Sequence, residues 1–224
     1  MRRTRVITVL KSGGDFKPDH VVCLHNSVLR HAEFPVEFVC LTDFPAPFLP
    51  SSIVTIPLEH NLPGWWSKAE IYRHDLIDPR ADCWYMDLDT VVVGPFDRLC
   101  DDSSYIALRG FYKSSRFGSG LMRWPGRMNL SHIPDRAVEH VERLGITRSN
   151  WKRHGDQDWI GSQLEKEYVP VEYFQDVWPG EVISYKVHCM KNGGPSKKAK
   201  VVCFHGKPRP WDVQAPWVLR ELTA

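Results

Sequence analysis

The sequence predicts an α/β fold with a mostly parallel sheet, in one domain over residues 1–224. Three observations carry that expectation. Short continuous apolar runs, the mark of strands buried on both faces, recur through the first half of the chain. Segments of helical character lie between them, giving the order strand, helix, strand, strand, helix, strand. The chain has 224 residues, 42% hydrophobic and 25% charged, which suits one soluble globular domain.

Val6-Ile7-Thr8-Val9-Leu10 reads as a buried first strand running into the glycine-containing loop 11–15. Pro18 suits the first position of a helix, and Val21, Val22, Leu24, Val28 and Leu29 follow at near-helical spacing. Residues 36–41 form the second strand, closed by Thr42-Asp43, and 53–57 a short third. After a loop over 58–64, Ser67 is placed to cap a helix reaching about Leu76. Cys83-Trp84-Tyr85-Met86 is the fourth strand and runs straight into Asp87-Leu88-Asp89. Residues 104–108 and 119–124 have strand character, and 135–144 and 156–164 helical character. A late buried strand over 200–204 leads into His205-Gly206-Lys207, and the basic stretch 191–200 predicts a mobile loop.

Composition excludes several classes. The charge is 29 basic minus 27 acidic, or +2, which announces no nucleic-acid partner. No apolar run approaches the roughly 18 residues of a membrane span. The basic start is followed by only residues 6–10 as an apolar stretch, shorter than a secretory core. Cys23, Cys40, Cys83, Cys100, Cys189 and Cys203 form no C-x-x-C pair and sit mostly in apolar runs. They read as free thiols of a reducing, cytoplasmic compartment, not as a zinc site.

Ligands of such sheets sit beyond the carboxyl ends of the strands. The loop after Leu10, Thr42-Asp43 and the Asp87/Asp89 pair all fall there. Carboxylates at i and i+2 of a strand point the same way and can share Mg²⁺ or Mn²⁺. His205 offers an imidazole as a third ligand. Gly206 lets backbone approach a phosphate, and Lys207 supplies positive charge to it. Lys68, in the first turn of its predicted helix, opposes the helix dipole and so points to an anionic ligand. Trp65 and Trp66 suit a core or a pocket wall equally. His154-Gly155-Asp156-Gln157-Asp158 suits a helix cap or a substrate-facing loop.

The ordered motifs TVLKSGG (8–14), CLTD (40–43), GWWSKAEIY (64–72), YMDLDTVVVGP (85–95), GSGLMRW (118–124), GDQDWI (155–160), SYK (184–186) and FHGKPRPW (204–211) resemble a bacterial GT-A glycosyltransferase related to glycosyltransferase family 8. The resemblance implies the GT-A, Rossmann-like nucleotide-diphospho-sugar transferase fold. It implies transfer of a sugar from a nucleotide-sugar donor, a UDP-sugar by family habit, to a glycan, a lipid-linked acceptor or another hydroxyl. It implies Mn²⁺ or Mg²⁺ on Asp87, Asp89 and His205. Thr8, Leu10, Lys11, Lys68, Asp87, Leu88, Gly206 and Lys207 would hold the donor. Asp156 and Gln157 match the segment that faces the reacting carbon. A hexosyl transfer that retains configuration is the family's outcome, and a place beside a membrane is compatible with it. One departure is Gly118, where related enzymes often carry Asn before Ser-Gly.

Two rival readings exist. Asp87-Leu88-Asp89-Thr90-Val91 also fits the nucleophile motif of haloacid-dehalogenase-like phosphohydrolases. That family carries the motif on its first strand and needs a later lysine and acidic pair, whereas Asp101-Asp102 follows too soon here. The second rival is a catalytically silent sugar-nucleotide-binding module.

Overall fold

The computed structural model describes residues 3–45, 48–97 and 104–223. Cys100 and the pair Asp101-Asp102 lie outside the described residues. In chain order the first half comprises β1 (Arg3–Leu10), α1 (Pro18–His31), β2 (Val36–Thr42), β3 (Val54–Pro57), β4 (Ala81–Met86) and β5 (Thr90–Val92). There follow β6 (Tyr105–Arg109), β7 (Phe117–Pro125), α2 (Ile133–Arg143), α3 (Gln157–Lys166), β8 (Val171–Tyr173), α4 (Phe174–Val177), β9 (Val182–Ser184), β10 (Val201–Cys203) and α5 (Pro216–Leu222).

Seven strands form one sheet in the order β3-β2-β1-β4-β7-β6-β8. Six of them run the same way, and β7 alone is reversed, antiparallel to β4 and to β6. A smaller sheet, β5-β10-β9, stands beside it. The mostly parallel sheet expected from the apolar runs is therefore present, with β4 at its centre and buried along its whole length.

Alternation along β1 sorts the core into two layers. Val6 and Leu10 face α1 and meet Val21, Leu24 and Val28 with Trp84 and Met86. Ile7 faces the other way and joins Leu41, Tyr85, Trp66, Ile133 and Ile160, under α2 and α3. Each fully buried side chain of this size contributes about 1.5–3 kcal/mol. A third cluster joins Val202 of the small sheet and Phe204, just past its end, to Val218 of α5.

The expected helix from Ser67 to Leu76 is instead a 3₁₀ segment, Gly64–Tyr72, followed by a short turn, His74–Leu76. The Ser67 hydroxyl does not cap; it donates to the carbonyls of Leu62 (3.0 Å) and Gly64 (2.8 Å). Every residue from Trp66 to Tyr72 is buried, so packing on all sides, not an amphipathic stripe, sets the winding. Elsewhere the expected boundaries shift by one to three residues, as element ends commonly do. The stretch 191–200 takes turns with no helix or strand.

Candidate active site

The carboxyl ends of β1 and β4, the β6–β7 connection and the start of α3 enclose one cleft of about 720 Å³. Asp87, Leu88, Asp89, Lys11, Lys68, Asp156, Gln157, His205 and Gly206 all line it. These residues come from five separate stretches of sequence, and the sheet topology gathers them.

Asp87 and Asp89 do not lie on the strand itself. β4 ends at Met86, and a tight turn follows in which the Thr90 amide donates to the Asp87 carbonyl (2.9 Å). The two carboxylates take different cationic partners. Asp87 accepts from the Tyr85 hydroxyl (2.5 Å) and pairs with Lys68 Nζ (3.2 Å). Asp89, only 6% exposed, pairs with Arg209. Leu88 points into the core beneath them. Gly120 lies opposite, and a Cβ there would come 3.1 Å from an Asp87 oxygen and press that side chain aside.

Lys68 is a buried cation between two acids. Its Nζ stands 3.2 Å from both Asp87 and Asp156 and donates to the Ser119 hydroxyl (3.0 Å). Burial alone would depress the ammonium, but Asp156 and then Asp87 outweigh it and hold it above the usual lysine range. Asp156 stands at the start of α3, yet its carboxylate makes no cap bond; it accepts from Ser119 Oγ at 3.2 Å. Gln157, exposed at the rim, accepts from the Ser119 amide (3.2 Å) through Oε1.

His205 follows β10. Its Nε2 meets the Ser184 hydroxyl (2.7 Å), its ring stacks on Phe111 (5.2 Å, 18°), and Tyr112 approaches edge-on. Burial, then Lys186, lowers its pKa from the ordinary histidine value, so the imidazole is neutral and able to ligate near pH 7. Gly206 takes φ +81, and a Cβ there would reach Lys186 Nζ at 3.3 Å.

Three expected donor residues stand apart from this wall. The Thr8 hydroxyl is fully buried and donates to the Met86 carbonyl (2.9 Å), stitching β1 to β4. Leu10 is buried against α1. Lys207 is exposed and does not line the cleft. Lys11 does line it, but its Nζ is held by Asp43 (2.5 Å) and Asn61 (2.6 Å).

From the C-terminal motif the cation that reaches the acidic turn is Arg209, two residues beyond Lys207. It packs over the Phe16 ring (4.8 Å), and its Nε is buried without a hydrogen-bond partner. The motif FHGKPRPW contained it, but proximity to His205 favoured Lys207. Ser119, the hub of the lysine network, is marked in the sequence only by its place in the motif GSGLMRW. The Gly118 departure also has a physical reason. A Cβ there would fall 2.9 Å from Leu108 Cβ, where β6 shifts register against β7.

The donor set, carboxylate oxygens and one imidazole, suits a hard divalent cation in its chemistry. Burial first, then the Asp87 charge, push the Asp89 carboxyl up to about 6 against the pull of Arg209. Among the described residues Asp87, Asp89 and His205 do not form a ready-made three-ligand group, because each already leans toward a different partner.

Neither a family model nor a curated protein sequence matches the chain. Solved structures do match, and the fold they define is that of the GT-A glycosyltransferases. LgtC, solved as an active-site mutant, superposes with a TM-score of 0.66 at 12% identity, over 97% of this chain and 94% of its own. LgtC has also been solved as a galactosyltransferase with donor and acceptor sugar analogs, with a TM-score of 0.60. The glycosyltransferase GlyE of Streptococcus pneumoniae TIGR4 gives 0.64 at 12% identity, over all of this chain. The bifunctional glycosyltransferase WbbM gives 0.54 at 11%. This chain spans 61% of the GlyE chain and 51% of the WbbM chain. Identity this low makes the likeness one of fold. Among the described residues no helix is long and apolar enough to cross a membrane.

Proposed function

We propose that this protein is a glycosyltransferase that moves a sugar, a hexose in our reading, from a nucleotide-sugar donor to a hydroxyl acceptor with Mn²⁺ or Mg²⁺. A UDP-sugar is the donor class, and a glycan or lipid-linked hydroxyl the acceptor class. One observation carries the proposal. The acidic turn after β4 shares a single cleft with Asp156-Gln157 and with His205 and Arg209, in a GT-A fold.

The leaving group is a nucleoside diphosphate, and its growing negative charge limits departure. Asp87, Asp89 and His205 would hold the cation, whose chemistry is neutralisation of that charge. Arg209 brings a second, permanent positive charge to the same place and suits bidentate contact with phosphate oxygens. The transition state is oxocarbenium-like, as in related glycosyl chemistry. Asp156 is committed to Lys68 and Ser119, so its role is to fix the floor of the site. Gln157 lines the cleft and is the group placed to steady the sugar or the incoming hydroxyl. Retention of configuration is the outcome we propose, read by NMR of the anomeric proton of the product.

The test is calorimetry with Mn²⁺ and UDP, paired with a hydrolysis and transfer assay over UDP-sugars. Asp89→Ala should lower turnover at least about a hundredfold with an unchanged circular dichroism spectrum. Undiminished turnover in that variant removes the metal assignment. Phosphate release from an aryl phosphate without sugar transfer would favour the phosphohydrolase reading, and binding without turnover the silent module.

A further inference from the structure

We propose that the corner formed by Trp65 and Trp151 is the acceptor subsite of the cleft. Its occupant is the apolar face of a pyranose ring, so the acceptor is a glycan. The inference rests on the transfer reading above and selects among its acceptors.

The corner is built with care. Gly64 takes φ +57, and a Cβ there would fall 2.2 Å from the Trp151 ring carbons. Only glycine lets that indole lie flat on the backbone. Trp65 stands edge-on to it, with centroids 4.3 Å apart at 79°. The Trp65 indole N–H donates to the His154 carbonyl (2.7 Å), so the ring is pinned. Both rings are only partly buried and both line the cleft. Trp66, next in sequence, is 1% exposed and belongs to the core. Two indoles are thus held rigid at the edge of an otherwise charged site.

Their position decides the ligand. Trp65 lies three residues before Lys68, which pairs with Asp156, and His154 lies two residues before Asp156. The corner is therefore tied to the Asp156-Gln157 side of the cleft, whereas diphosphate chemistry belongs at the Asp87/Asp89 turn with Arg209. A rigid aromatic wall with a polar rim recognises a body that is apolar on one face and hydroxylated at its edge, and costs little ordering entropy. A pyranose has that form. The rim supplies Gln157 and Lys152, whose Nζ already sits 5.5 Å over the Trp151 ring.

The experiment is a glycan array of plant, bacterial and animal pyranosides, probed with the full chain in Mn²⁺ and UDP. Wild type should bind a defined subset. Trp151→Phe should keep that binding within about threefold. Trp151→Ala, and Trp151→Leu, which keeps apolar bulk on Gly64, should lose it at least tenfold. UDP affinity by calorimetry should stay within twofold throughout. Array binding that survives Trp151→Leu, or absence of any array binding by wild type, overturns the proposal. So does a fall of UDP affinity with the indole, which would make the corner a base-binding site. Failure of wild type to bind Mn²⁺ and UDP at the outset strikes the transfer reading itself.

Discussion

The two walls of the cleft are built on different principles. On the sheet side, Lys68, Asp87, Ser119, Asp156 and Tyr85 satisfy one another in a network that only Asp87 leaves part-exposed. On the C-terminal side, His205 rests on one hydroxyl and two rings, and Arg209 on one carboxylate and one ring. The first wall is completed by the fold except at Asp87, whose partly exposed carboxylate still faces the cleft and is open to a ligand. The second keeps neutral imidazole and a partly satisfied guanidinium for whatever enters. Rigidity and ligand capacity are divided between the walls.

Breaking the first wall should cost the most. Lys68→Met removes the cation from two acids and leaves Asp156 buried without its charge partner. The expected loss is about 3–5 kcal/mol of stability, seen as a fall in Tm of roughly 6–20 °C. Adding Asp156→Asn to the same chain should restore part of it, because one uncompensated charge is then gone. A double variant that loses the sum of both single effects would show that no coupled network exists.

The backing of the second wall comes next. α5 packs behind Phe204 and is tied to α1 through Glu221, whose fully buried carboxylate meets Arg30 (2.9 Å), His31 (3.0 Å) and Arg220 (2.9 Å). Burial would raise its pKa, but these three partners outweigh burial and hold it below the usual glutamate value. A depressed carboxylate contributes stability above its unfolded pKa and loses it as pH falls through the folded one. Glu221→Gln should cost about 2 kcal/mol near pH 7, or roughly 4–8 °C in Tm. The gap from wild type should hold at neutral pH and close on acidification below about pH 4. A gap that widens in acid would reverse the assignment.

Much of the first wall was legible in the sequence, and less of the second. Continuous apolar runs announced β1, β2 and β4, and strand-end logic then gathered Lys11, Asp43, Asp87 and Asp89 at one edge. Lys68 was singled out as the residue for an anion, though a helix that is not there supplied the reason. Its real partners, Asp156 and Ser119, are distant in sequence and joined only by the sheet. The second wall depends on elements too short to show a period, among them β5, β9 and β10 at three residues each. The motif around His205 was visible, but which of its two cations turns inward is set by chain path, and no spacing rule reports that.

Arg209→Gln should weaken binding of Mn²⁺ with UDP about tenfold, or ~1.4 kcal/mol. Its effect on Tm should be smaller than that of Lys68→Met, because Asp89 can take up a proton once its partner is gone. Calorimetry and thermal unfolding on the same samples check both halves of that statement.

Lys207→Ala is the smallest expected effect and the sharpest division of the motif. The lysine is exposed, lies outside the cleft lining and makes no ion pair among the described residues, whereas Arg209 pairs with Asp89. A surface charge in that position contributes little to local affinity, since water and salt screen it. UDP affinity should therefore change less than threefold, and Tm by no more than about 1 °C. If Lys207→Ala instead matched or exceeded Arg209→Gln, the ligand would have to draw Lys207 inward on binding. The C-terminal wall would then rearrange around the donor rather than await it, and the contrast between a finished wall and a waiting one would become a contrast between a fixed wall and a moving one.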